Sequence, residues 1–244
     1  MNQRLDIEFL RHALIVVAGH RYWMLPLLPL LWLVFHAVIR LLNSEAAFTG
    51  AEAQGPYLAV PLTALAIFFG MRIIAGEIDD RSLEIAYTVP GGVERLWFAK
   101  LAAAFLLLLT SEALLAGTVF FFFTPFPPGA LYGALQAACF YMILAMSLST
   151  LFRGEAAGAI ATAAILGLNG LITDFGDNQI RISPFWNPYA LGDNATSSAS
   201  SWTGSSEMLA WTLQNRIGML LAMAAILALA FMRANRREQM LGGD

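Results

Sequence analysis

Residues 101–123 read LAAAFLLLLTSEALLAGTVFFFF, an apolar run broken by a single carboxylate, Glu112. At 1.5 Å rise per residue, a helix needs about 20 such residues to cross the hydrocarbon of a bilayer. Lipid offers backbone amides no hydrogen-bond partner, so a run of this kind crosses as a helix. Comparable runs lie at 22–39, 57–75, 130–152, 156–173 and 209–232. Together they predict six spans. Gln214, Asn215 and Arg216 interrupt the first turns of the last one, and Arg216 is expected to snorkel to the interface.

Composition agrees. Of 244 residues, 58% are hydrophobic and 13% charged, with a mean hydropathy of +0.65; a soluble domain carries about a quarter charged residues. The fold class is therefore an all-α membrane protein, one transmembrane domain over 1–244. The net charge of −3 leaves no electrostatic footprint for nucleic acid. The single cysteine, Cys139, excludes a disulfide framework and cysteine-rich metal sites. Residues 1–21 hold Arg4, Asp6, Glu8, Arg11 and Arg21, so no cleavable signal is read there.

Basic residues set the orientation. With the N-terminus inside, Arg4, Arg11, Arg21, Arg72, Arg81, Arg95, Lys100, Arg153, Arg233, Arg236 and Arg237 lie inside, and only Arg40, Arg181 and Arg216 outside. The expectation is a multi-pass protein of a bacterial-type inner membrane with both termini cytoplasmic. Ahead of the first span, Arg4, Glu8, Arg11 and His12 recur opposite Ile7, Leu10, Leu14 and Val17. This predicts an amphipathic interfacial helix over 4–20.

The connections differ. Thr124-Pro-Phe-Pro-Pro-Gly129 is a tight outer turn, and Arg153 to Glu155 a short inner one. The outer segment 174–208 begins with Pro184-Phe-Trp-Asn-Pro-Tyr189 and ends in a Ser/Thr/Gly stretch; its Asn194-Ala-Thr196 triplet fits the glycosylation pattern but is frequent by chance. The inner segment 76–100 mixes Glu77, Asp79, Asp80, Arg81, Glu84, Glu94 and Arg95 with Ile78, Leu83, Ile85 and Tyr87, and breaks at Pro90-Gly91-Gly92. Two short helices folded under the membrane are expected there, a knob with charge for register and apolar residues for burial against a cytoplasmic protein.

The chain has one lysine, Lys100, with no glycine-rich loop before it. It therefore lacks the loop that cradles nucleotide phosphates, and ATP use would need a partner. Glu112, flanked by Thr110 and Ser111, reads either as a polar spot on a translocation route or as a hydrogen-bonding partner of His36 or Gln136. His36 reads as a packing residue, with no second ligand at metal spacing. Pro26 and Pro29 predict a kink. Gly154, Gly158 and Thr162 recur every four residues, a close-packing face within the chain or between two copies, and Asn169 is placed to add an interhelical bond.

The stretch Glu77-Ile-Asp-Asp-Arg-Ser-Leu-Glu84, then Thr88-Val-Pro90, Glu94-Arg95 and Lys100, resembles the cytoplasmic segment of type 2 ABC exporter permeases, with Arg81 where a glycine is usual there. Asn187-Pro188-Tyr189 is similar to that family's outer segment. The resemblance implies an elbow helix at 4–20, six spans, and a coupling region over 76–100 that docks an ATPase through Glu77, Asp80, Arg81, Leu83, Glu84, Tyr87 and Pro90. Residues 180–191 would form short helices dipping back toward the membrane. It further implies two cytoplasmic ATPases that bind ATP and Mg, a second permease copy or paralogue, and alternating access in contact with membrane lipid, with no catalytic, cofactor or metal site in this chain. Competing readings are an ATP-independent secondary transporter or channel, a non-transporting membrane subunit, and an intramembrane enzyme using Asp174 and Asp177.

Overall fold

The computed structural model describes residues 3–43, 48–88, 92–173, 180–190 and 206–236. Pro90, Asp174, Asp177 and the Asn194 triplet lie outside them. The regular structure of the described residues is all helical, with no strand: α1 Gln3–Ala18, α2 Leu28–Asn43, α3 Val60–Arg72, α4 Ala75–Asp79, α5 Leu83–Ala86, α6 Val93–Phe122, α7 Pro128–Phe152, α8 Glu155–Thr173 and α9 Ser206–Ala234. Among the described residues, six helical segments are long and apolar enough to cross a membrane: Leu25–Asn43, Ala53–Arg72, Val93–Phe122, Pro128–Phe152, Glu155–Thr173 and Ser206–Ala234. The chain is an all-α, multi-pass membrane protein.

Prolines shape the first two spans. A 3-10 turn, Leu25–Leu27, leads into α2, and the Pro26 carbonyl accepts the Ser111 hydroxyl at 3.1 Å. A π turn, Ala53–Ala59, leads into α3, with the Val60 N–H reaching back to the Gly55 carbonyl. Residue 61 is a second proline, with no N–H to give, so the Pro56 carbonyl is left without a helical donor. The Trp32 indole supplies one at 2.8 Å, which fixes α2 against this turn.

Two helix ends are closed by arginines in the left-handed conformation, Arg81 (φ 54°) and Arg153 (φ 58°). After α4, the Ser82 N–H bonds the Glu77 carbonyl and the Arg81 N–H bonds Ile78, while after α7 the Gly154 N–H bonds Ser149. These are glycine-type caps occupied by another residue. Arg81 thus stands where a glycine is the unstrained choice.

Helices α3 and α7 form the centre, with 67% and 56% of their apolar windows buried against 17–22% for α2, α8 and α9. They pack on each other, and both bring small residues to the shared core, Ala134, Ala137 and Ala138 from α7 and Ala66 from α3. At Gly70 a Cβ would strike the Met142 carbonyl. Dispersion across such narrow contacts, rather than hydrophobicity, holds helices together in lipid. Leu41, Phe121, Leu171 and Leu221 are exposed on the outer helices, as side chains solvated by lipid are. Helix α1 packs on α6 through a buried face that includes Ala13 and Val17, and Arg72 Nη1 donates to the Val17 carbonyl at 3.1 Å.

Candidate functional site

Polar side chains gather at the two ends of the bundle and at one point between them. The first end is the α4–α5 knob. Glu77, at the start of α4, is only 6% exposed and Lys100 only 1%. Lys100 Nζ donates to Glu77 Oε1 at 2.8 Å and to the Ile73 carbonyl at 3.2 Å, and Trp97 Nε1 donates to Glu77 Oε2 at 3.1 Å. The spacing of Trp97 and Lys100 puts both on one face of α6, so one carboxylate fastens the knob to the third span.

Two further ties from the knob, and one from the start of α6, reach other spans. Asp79 Oδ2 accepts the Glu155 N–H at 2.9 Å, capping α8 from another element, with Arg72 and Glu155 paired at 3.7 Å behind it. The Tyr87 hydroxyl donates to the Ala234 carbonyl, and Asn235 Nδ2 donates to Glu94 Oε1, so the end of α9 is held as well. Trp97 stacks on Phe231 with centroids 5.9 Å apart.

This arrangement reassigns part of the expected docking set. Leu83 and Tyr87 are buried in the chain's own core, so their apolar character is explained without a partner, and Glu77 is consumed by Lys100 and Trp97. Asp80, Arg81 and Glu84 face outward, beside Glu94 and Arg95. A groove of about 210 Å³ lined by Val16, Arg72, Asp80, Ser82 and Leu96 runs between the knob and α1.

Between the ends, Glu112 is 7% exposed and its Oε1 has no hydrogen-bond partner, nor has either polar atom of Gln136. The expected Glu112–Gln136 bond is therefore not formed. His36 sits among rings, with Trp32 at 4.8 Å and Tyr57 at 5.7 Å edge-on, as a packing residue would.

The far end is organised by the aromatic-proline segment. Phe185, Trp186 and Asn187 are each 2% exposed, and Pro188–Ala190 is a single 3-10 turn. Gln54 Nε2 donates to the Trp186 carbonyl at 2.7 Å, Asn187 Nδ2 to the Ala51 carbonyl at 2.8 Å, and Trp186 Nε1 to Thr212 Oγ1 at 3.0 Å. Asn215 Nδ2 donates to the Arg181 and Ser183 carbonyls at 2.6 and 2.9 Å, and Ser183 Oγ to Asn169 Oδ1 at 3.2 Å. A Cβ at Gly133 would strike the Gln54 amide, which leaves that amide one position. Arg216 does not snorkel. The folded segment covers it to 8% exposure, with Nη2 3.5 Å from the Trp186 carbonyl and the guanidinium 5.4 Å from the Tyr132 ring centroid.

The small-residue face is internal. A Cβ at Gly158 would collide with the Ser149 backbone on α7, Thr162 is fully buried, and a Cβ at Gly154 would make ordinary contact with Asp79 at 3.8 Å. At Gly158 the seam joins α7 to α8 within one chain.

Sequence reading missed Trp97 as a ligand of Glu77, Asp79 as a cap, and Gln54 as the latch of the far segment. The available signal was an amide side chain at the head of an apolar run, Gln54 just before the second span and Asn215 in the first turns of the last. Among the described residues no three His, Cys, Asp or Glu side chains converge as metal ligands. Comparison with protein-family models, curated proteins and solved structures returns no match for this chain.

Proposed function

We propose that this chain is the membrane-embedded subunit of a transporter driven by a separate cytoplasmic ATPase, with the α4–α5 knob as the element that receives the motor's movement. One observation carries the reading. A knob of nine helical residues is tied by separate polar contacts to α6, α8 and α9. A solvated loop has no need of these ties, whereas an element that must move three spans as a body does. Rigid-body rocking is the form of transition this permits. Its outward face, with the start of α6, mixes acid and base through Asp80, Arg81, Glu84, Glu94 and Arg95, which suits charge-registered docking. The knob faces the cytoplasm in this reading, α1 lies along the inner interface as an elbow, two copies or two related chains form the path, and direction is outward. The likeness of residues 77–100 to type 2 ABC exporter permeases supports the same assignment.

The test is co-purification and transport. Affinity-purified chain should bring down a protein carrying Gly-x-x-x-x-Gly-Lys-Ser/Thr, and Asp80→Arg with Glu84→Arg should release it while the thermal midpoint stays unchanged. A retained partner would show that the docking surface lies elsewhere. Transport by the purified chain without any ATPase would assign it to ATP-independent carriers instead.

A further inference from the structure

Arginine cannot discharge itself by losing a proton within a protein. A buried carboxylate such as Glu112 can escape its desolvation cost by binding a proton, but Arg216 has no such route. A charge taken out of water without a partner is expensive, so a buried guanidinium calls for a counter-charge. The described residues do not give it one. Arg216 is 8% exposed, its Nη1 has no partner, and its Nη2 meets only a carbonyl, that of Trp186, at 3.5 Å. Tyr189 beside it does not supply one, since burial pushes its hydroxyl above the ordinary value.

The surroundings have a pattern of their own. Gln54 Oε1 and Asn215 Oδ1 are buried acceptors without donors. Gln54 and Arg216 share the Trp186 carbonyl, so the two side chains, each with one buried polar atom left without a partner, meet at one acceptor. Tyr132, under the guanidinium, is 47% exposed, which puts the charge one side chain from the surface. Leu213 and Ile217 beside it are 61% and 49% exposed, an apolar flank.

We infer that Arg216, with Gln54, binds a phosphate oxyanion at the far end of the bundle, reached past Tyr132. The guanidinium takes the oxygens, and the Gln54 amide oxygen accepts from a hydroxyl or ammonium hydrogen on the same ligand. A phospholipid headgroup and a soluble phosphate share this chemistry. The inference is independent of the ATPase reading, since it concerns the opposite end and needs no motor.

The chain is purified in detergent, exchanged into nanodiscs of phosphatidylglycerol or phosphatidylcholine, and released for native mass spectrometry; inorganic phosphate is titrated separately against the thermal midpoint. One retained phosphatidylglycerol per wild-type chain, reduced at least about tenfold (1.4 kcal/mol) in Arg216→Gln, supports the site and identifies a headgroup. A midpoint raised by inorganic phosphate in wild type but not in the variant supports it with a soluble ligand. Equal retention in wild type and variant, with no effect of phosphate on either, overturns it. Should Arg216→Gln fail to fold, Gln54→Glu decides: it places an internal carboxylate beside the guanidinium and should displace the ligand from a folded chain. Unchanged binding in that variant also overturns the site.

Discussion

Replacing Lys100 by methionine tests whether the knob is braced or merely adjacent. The substitution keeps the aliphatic stem and removes the ammonium that lies 2.8 Å from Glu77 Oε1. Both side chains are almost fully buried, at 2% and 8% exposure, so solvent screening does not soften the loss. Breaking one partner of such a pair costs about 3–5 kcal/mol, because the remaining charge has lost its compensation. Glu77→Leu should cost a similar amount by stranding Lys100. The double variant should be milder than either single one, since no charge remains; its residual cost, about 1–3 kcal/mol, comes from the unmet Trp97 N–H. Cys139, the only thiol, permits the assay: a thiol-reactive dye reports its exposure as detergent-solubilised protein is heated. The single variants should lose on the order of 10 °C and the double variant clearly less. If the double variant lost the sum of the two, Glu77 and Lys100 would be acting independently and the brace would not exist.

Other perturbations separate local causes. Gly158→Leu should cost about 1–3 kcal/mol by overpacking against the Ser149 backbone, whereas Gly167→Ala, with nothing within 4 Å, should be neutral or stabilising by up to about 1 kcal/mol; the same dye assay compares them. Arg81→Gly and Arg153→Gly should each raise the midpoint by relieving a left-handed non-glycine residue, about 1 kcal/mol apiece, and a fall would show that the arginine side chains contribute more than their backbone costs. Asn187→Leu should lose the buried bond to the Ala51 carbonyl and strand that acceptor, costing about 1–3 kcal/mol; faster limited proteolysis near residues 180–190 reads the loosened segment.

Residues 101–123 are apolar for longer than any soluble core helix requires, and lipid leaves their backbone only one way to cross. The six helices therefore follow from one-dimensional pattern, because the solvent constrains each span separately. The knob was legible in part. Its charges and its break before Gly92 stand in the sequence, and Arg81 stands out as a departure from glycine. Which face those residues turn was not legible. Leu83 and Tyr87 look like docking residues until both are found in the chain's own core, and the Gly154–Gly158–Thr162 repeat fits packing within the chain or between copies until Ser149 is found against it. Arg216 shows the limit most clearly. Alone on its helix it would snorkel, but Trp186, far away in sequence at residue separation 30, folds over it and leaves a charge inside. Burial, partner and orphan status are properties of juxtaposed segments, so only the tertiary structure could decide them.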